Sequence, residues 1–216
     1  MDRLAVRFTH PLLGQAVLAA ADGAALRRAH AALARSATSD EVRARHLAGA
    51  TQGRDPNVAA SLEAAAATIR DRGATLDAAT LLEQAAALTP ETDPDHAMRR
   101  ARLAAETLFI DVSDYVQADR ILEAAIAVAS PGPERAEAVS LRALIRYYHG
   151  QTPDAVRLGE QALAEAGGDP LLRARVLGRA AFLVMQVDLE RGNGLATEAI
   201  GPAYERIDLM AVERAE

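Results

Sequence analysis

Cysteine, tryptophan and lysine are all absent from the 216 residues, and Phe and Tyr together number only seven. Each absence excludes something. Without cysteine there are no disulfides and no thiolate metal sites. Without lysine no complete Walker A loop exists, because that loop needs a Lys to reach the phosphates. No apolar run approaches the length that spans a bilayer, and the N-terminus lacks a secretory signal pattern, so a cytoplasmic protein is expected. The net charge of −6 opposes a phosphate-binding surface, since nucleic-acid binders present a basic face. Arg27-Arg28 and Arg99-Arg100-Arg102 are basic clusters, but acidic residues surround them. Neither direct nucleic-acid binding nor a membrane role is expected.

What is present is alanine, with arginine as the sole basic residue, a composition typical of GC-rich bacterial genomes. Half the residues are hydrophobic, enough for a sizeable core. Alanine is the strongest helix former, and small side chains let helices approach closely. Asp55-Pro56, Asp93-Pro94, Thr152-Pro153 and Asp169-Pro170 each place an N-cap before proline at the first helical position. Thr89-Pro90 and Ser130-Pro131-Gly132-Pro133 follow apolar runs and read as stops.

Three segments align on Ala78, Ala118 and Ala155. The first continues Leu81, Leu82, Ala85, Leu88; the second Ile121, Leu122, Ala125, Val128; the third Leu158, Gly159, Ala162, Glu165. These offsets share one helical face. Glu83, Glu123 and Glu160 recur at one position of the unit, with Arg120 and Arg157 one turn upstream of the last two. Gly159 and Glu165 make the third copy the poorest. Intervals of about 40 residues hold two helices and two turns, slightly longer than the usual tetratricopeptide unit. The pattern predicts an all-α, tetratricopeptide-like alpha-solenoid of helix pairs at roughly 57–89, 94–130, 133–167 and 170–208. Gly192, Gly194 and Gly201-Pro202 are expected to interrupt the last pair, and the run Val212–Glu216 has no stop signal.

The first fifty residues differ. Leu4–Phe8 alternates like a short strand, Pro11 opens a helix through Ala20, and further helices are expected near 23–36 and 40–50. A lone strand leaves both edges unpaired, so its partner is expected elsewhere and both ends of the chain read as cut. The predicted organisation is a small winged-helix-like remnant with connecting helices over 1–52, then a repeat domain over 53–216.

The stretch Val6-Arg7-Phe8-Thr9-His10-Pro11-Leu12-Leu13, then Arg27-Arg28-Ala29-His30 through Leu33-Ala34, then His46-Leu47-Ala48, resembles the large ATP-binding regulators of the LuxR family. Ala78 to Pro90 resembles their helical repeats. The resemblance implies a sensor segment lying between an ATPase domain and a DNA-binding helix-turn-helix, relaying an effector or protein partner to both. ATP is expected only in the missing upstream domain, and no cofactor in this segment. A free-standing TPR-like interaction scaffold is the alternative.

No catalytic constellation is visible: there is no nucleophile elbow and no GxGxxG loop. The five histidines, His10, His30, His46, His96 and His149, include no i, i+4 pair of zincin type; His30 and His46 are the two that would converge, as packing or capping groups. Glu91, Asp93 and Asp95 alternate in a loop that lacks the Gly and distal Glu of an EF-hand. The candidate partner surface lies on the first helix of each pair, where solenoids present a concave face: Arg102, Glu106, Arg142, Arg146, Tyr147, Tyr148 and Arg179. Arg and Tyr favour such contacts. The competing reading makes the tyrosines half core and the arginines solvated.

Overall fold

A computed structural model describes residues 10, 16–17 and 19–200. The expected strand Leu4–Phe8, most of the motif beginning at Val6, and the tail from Gly201 lie outside them.

Every regular element among the described residues is helical. An opening hairpin, α1 (Gly23–Ser36) and α2 (Asp40–Ala50), precedes four pairs: α3 (Pro56–Asp71) with α4 (Thr75–Leu88), α5 (Pro94–Thr107) with α6 (Tyr115–Val128), α7 (Pro133–Tyr148) with α8 (Thr152–Glu165), and α9 (Pro170–Val184) with α10, residues 189–200. Asp55 and Asp169 cap α3 and α9, each accepting two backbone N–H bonds ahead of the proline. Asp93 does otherwise. Its carboxylate holds His96 Nδ1 at 2.7 Å and accepts no cap bond from α5. Gln151, one residue earlier than expected, is the N-cap of α8.

The aligned apolar positions form the seam. Ala78, Leu81, Leu82 and Ala85 are buried, as are Ala118, Ile121 and Leu122, and Ala155, Leu158 and Ala162. They belong to one continuous cluster running from Ala44 on α2 to Leu183 on α9. No pair closes its own apolar face; each is sealed by its neighbour. Along the chain α5 touches α7, and α7 touches α9, so first helices lie side by side.

The two breaks in the third copy have separate causes. Gly159 lies against Ala180 and Leu183 of α9, with the Leu183 methyl 3.4 Å from where a Cβ would stand. Glu165 is consumed by a mostly buried ion pair with Arg135 of α7. Val128, at the end of α6, is 88% exposed because the chain turns away at Ser130. The long interval between the first two copies comes from a π-helical turn, Leu108–Val112, that extends α5, followed by Ser113 in the left-handed region at φ 61°. That conformation costs a β-substituted residue roughly 1 kcal/mol.

Gly192 does not end α10. The helix runs through it, and a Cβ there would collide with Cγ of Met185. Gly49 on α2 is pressed likewise: a Cβ would lie 2.8 Å from ring atoms of His30 on α1. Gly49→Ala is therefore expected to push the His30 ring out and to destabilise the α1–α2 hairpin by about 1–3 kcal/mol, read as earlier loss of helix signal in thermal melts. An unchanged melt would mean that the ring moves at no cost.

Candidate functional site

The face shared by the first helices is built from alternating charge. Glu63 of α3 accepts from Arg99 Nη2 at 2.6 Å and from Arg100 Nε at 2.8 Å, both on α5. Arg100 is buried and also donates to the Thr89 hydroxyl at 2.6 Å. Burial alone would raise the Glu63 carboxyl, but the two arginine hydrogen bonds and charges outweigh it and hold it below its ordinary value. Two arginines of the basic cluster are thus committed to one carboxylate.

Glu137 of α7 is the second node, its side chain only 11% exposed. Arg175 of α9 reaches it at 2.6 Å from one side, and Arg102 of α5 at 3.5 Å from the other. Arg102 also lies 3.4 Å from Glu106 on its own helix. Arg179, one turn along α9 from Arg175, differs. It is partly buried, and it forms no ion pair within 4 Å and no hydrogen bond to any described residue. Burial depresses its guanidinium; Glu137 and Glu106 oppose that, while Arg102 and Arg175 add to it.

Beyond this cluster an aromatic row crosses the same three first helices near their C-terminal ends. Phe109 packs on Tyr115 and Tyr148, Tyr148 on Tyr147, and Tyr147 edge-on to Phe182, with ring centroids 5.1–5.8 Å apart. His149 stacks on Tyr115. These are all the Phe and Tyr side chains among the described residues. Tyr147 donates to Gln186 Oε1 at 3.2 Å, and Tyr148 is 55% exposed. Phe182 sits one turn beyond Arg179, so the charged cluster and the aromatic row adjoin.

The sequence candidates therefore divide. Arg102, Glu106 and Arg179 gather around Glu137, with Tyr147 and Tyr148 in the neighbouring row. Arg142 and Arg146 go elsewhere. Both donate to Asp119 of α6, at 2.9 Å from Arg142 Nε and 2.7 Å from Arg146, in the seam between the second and third pairs. Arg142 also reaches Glu123. Burial would raise the Asp119 carboxyl, yet the two guanidiniums win and hold it below its usual value; Arg142 is raised in turn by Asp119 and Glu123 against its own burial.

The recurring acids mark junctions between helices. Glu83 on α4 meets Arg120 on α6, Glu123 meets Arg142, and Glu160 on α8 meets Arg191 on α10. The local partner apparent in sequence for Glu160 is taken, since Arg157 pairs with Asp154. Exposed pairs of this sort contribute about 0–1 kcal/mol each. Glu137 and Arg175 escaped sequence reasoning, because single charges on an amphipathic helix carry no signal until the neighbouring helix is placed.

His30 and His46 do converge, with Nδ1 atoms 3.0 Å apart, so one ring donates and the other accepts. No group of three metal-ligating side chains exists among the described residues, and no helix among them is long and apolar enough to cross a membrane. A groove of about 620 Å³ lies between α4 and α6 over α5, walled by Ala86, Ala97, Ala124 and Ile121, with Arg54 and Glu91 at its rim.

Stacked helix pairs with one continuous seam and a shared first-helix face define an all-α, TPR-like repeat array. Solved structures agree. The nearly identical TPR-like repeats of Podosopora anserina attributed to a kinesin light chain align at a TM-score of 0.52 with 20% identity, covering 86% of this chain and 98% of that one. A point variant of those repeats aligns at 0.50 with 19% identity, over 89% and 96%. MamA protein aligns at 0.45, with 18% identity over 85% and 91%. At such identities the two alignments to the kinesin light chain repeats speak to fold alone. No family model and no curated protein matches the sequence.

Proposed function

We propose that this chain is a non-catalytic protein-interaction scaffold whose first-helix face takes a segment of a partner protein. The observation that carries the reading is the continuity of that face: the Glu137 cluster and the aromatic row both span α5, α7 and α9. Arg and Tyr supply contact area with directed hydrogen bonds, the chemistry enriched at binding hot spots. A surface made jointly by three helices exists only while the pairs are stacked, which ties recognition to the fold.

Selection from a displayed random-peptide library tests this. Recurrent binders are expected, and their affinity should fall at least tenfold in Arg102→Ala and in Tyr148→Ala. Binders indifferent to both changes would move the site off this face.

A second reading places the scaffold inside a LuxR-type regulator as its sensor segment. It is supported by the ordered motifs Arg27-Arg28-Ala29-His30 and His46-Leu47-Ala48, whose histidines meet on the α1–α2 hairpin. In that setting ATP and DNA would be handled by other domains in the cytoplasm. A P-loop coding sequence upstream and a helix-turn-helix downstream would support it; flanking sequence that encodes neither would remove it.

A further inference from the structure

Three guanidiniums and two carboxylates make up the cluster on α5, α7 and α9. Glu137 is shared between Arg102 and Arg175, and Glu106 faces Arg102. Arg179 stands within electrostatic reach of both acids and bonds to neither. The register of the helices explains why. Arg175 meets Glu137, and Phe182 meets Tyr147. Between those two contacts α7 offers no carboxylate, since residues 138–146 contain neither Asp nor Glu. With three guanidiniums against two carboxylates, the cluster holds one positive charge in excess inside a chain whose net charge is −6. Beside it Gly178 leaves open space, with no atom within 4 Å of where a Cβ would be. Phe182 and Tyr147 form an apolar wall one turn away.

We propose that Arg179 is the anchoring point of this face and that the partner segment is an acidic peptide. One of its carboxylates would take the guanidinium, and an adjacent apolar side chain would rest on the Phe182–Tyr147 rings. A carboxylate satisfies the guanidinium's paired donors with charge-assisted bonds and neutralises the excess charge of the cluster. A basic segment would meet Arg102, Arg175 and Arg179 with like charge. The inference rests on the scaffold reading and adds the chemistry of the partner.

The test combines a peptide array with a stability measurement on the same full chain. Random dodecapeptides that bind should be enriched in Asp and Glu. The strongest acidic binder, labelled with fluorescein and followed by anisotropy, should lose at least tenfold in affinity when its acids become Asn and Gln. It should lose as much when the protein carries Arg179→Gln. Arg157→Gln on α8, whose arginine pairs only with its neighbour Asp154, should bind like wild type. Arg179 forms no bond in the free protein, so Arg179→Leu should melt at the same temperature as wild type or higher. Enrichment of basic or neutral peptides, or unchanged binding by Arg179→Gln, would overturn this inference and leave the scaffold standing. A clear drop in the melting temperature of Arg179→Leu would overturn it too, by giving the residue a structural role. An array with no binders of any charge would overturn both.

Discussion

Leu122→Ala is expected to lower the unfolding free energy by about 3–4 kcal/mol, the range for a leucine removed from a site that cannot collapse. Leu122 is 0% exposed and sits in the seam where α6 meets its neighbours. Alanines make up about half of the buried cluster it belongs to, and they are too short to fill the cavity left behind. Chemical denaturation gives the number. A loss below about 1 kcal/mol would mean that the seam is looser than the packing indicates.

Asp119→Ala is expected to cost about 2–3 kcal/mol. The substitution leaves Arg142 and Arg146 facing each other in the seam with their shared acceptor gone, and breaking a partly buried pair from one side costs several kcal/mol before solvent relaxation reduces it. A pH dependence accompanies the loss. The folded carboxyl titrates below its ordinary 3.8, so its contribution is complete above that value and disappears as the pH falls through the lower folded value. Wild type should lose stability in that acid window more steeply than Asp119→Ala, and Glu63, held down by Arg99 and Arg100, adds to the same slope. Parallel acid titrations of the two proteins would refute the coupling.

The sequence made much of this architecture legible, and the reason is physical. Ala78, Leu81 and Leu82 repeat because each pair must seal against the next, and such a constraint writes a period into the chain. Asp55-Pro56 and Asp169-Pro170 mark helix starts because proline tolerates only that position within a helix. The site was less visible. Arg142 and Arg146 look like surface residues on a first helix until α6 brings Asp119 between them. Glu137 and Arg175 look like ordinary solvated charges until α5, α7 and α9 lie side by side. Arg179 stands out only because α7 carries no acid between Glu137 and Tyr147. Charge partners between helices depend on rotation and stagger, which hydrophobic periodicity does not encode. The π-helical turn at Leu108–Val112 was hidden too, surfacing in the sequence only as a repeat longer than usual.

Hydrogen exchange of Leu122→Ala beside wild type tests the stacking most directly, because it reports where protection is lost as well as how much. If neighbouring pairs share one seam, the cavity should raise exchange in α6 and also in α5 and α7, fading with distance along the array. Faster exchange confined to α6, with α5 and α7 protected as before, would show that the pairs fold as separate units and contradict the account.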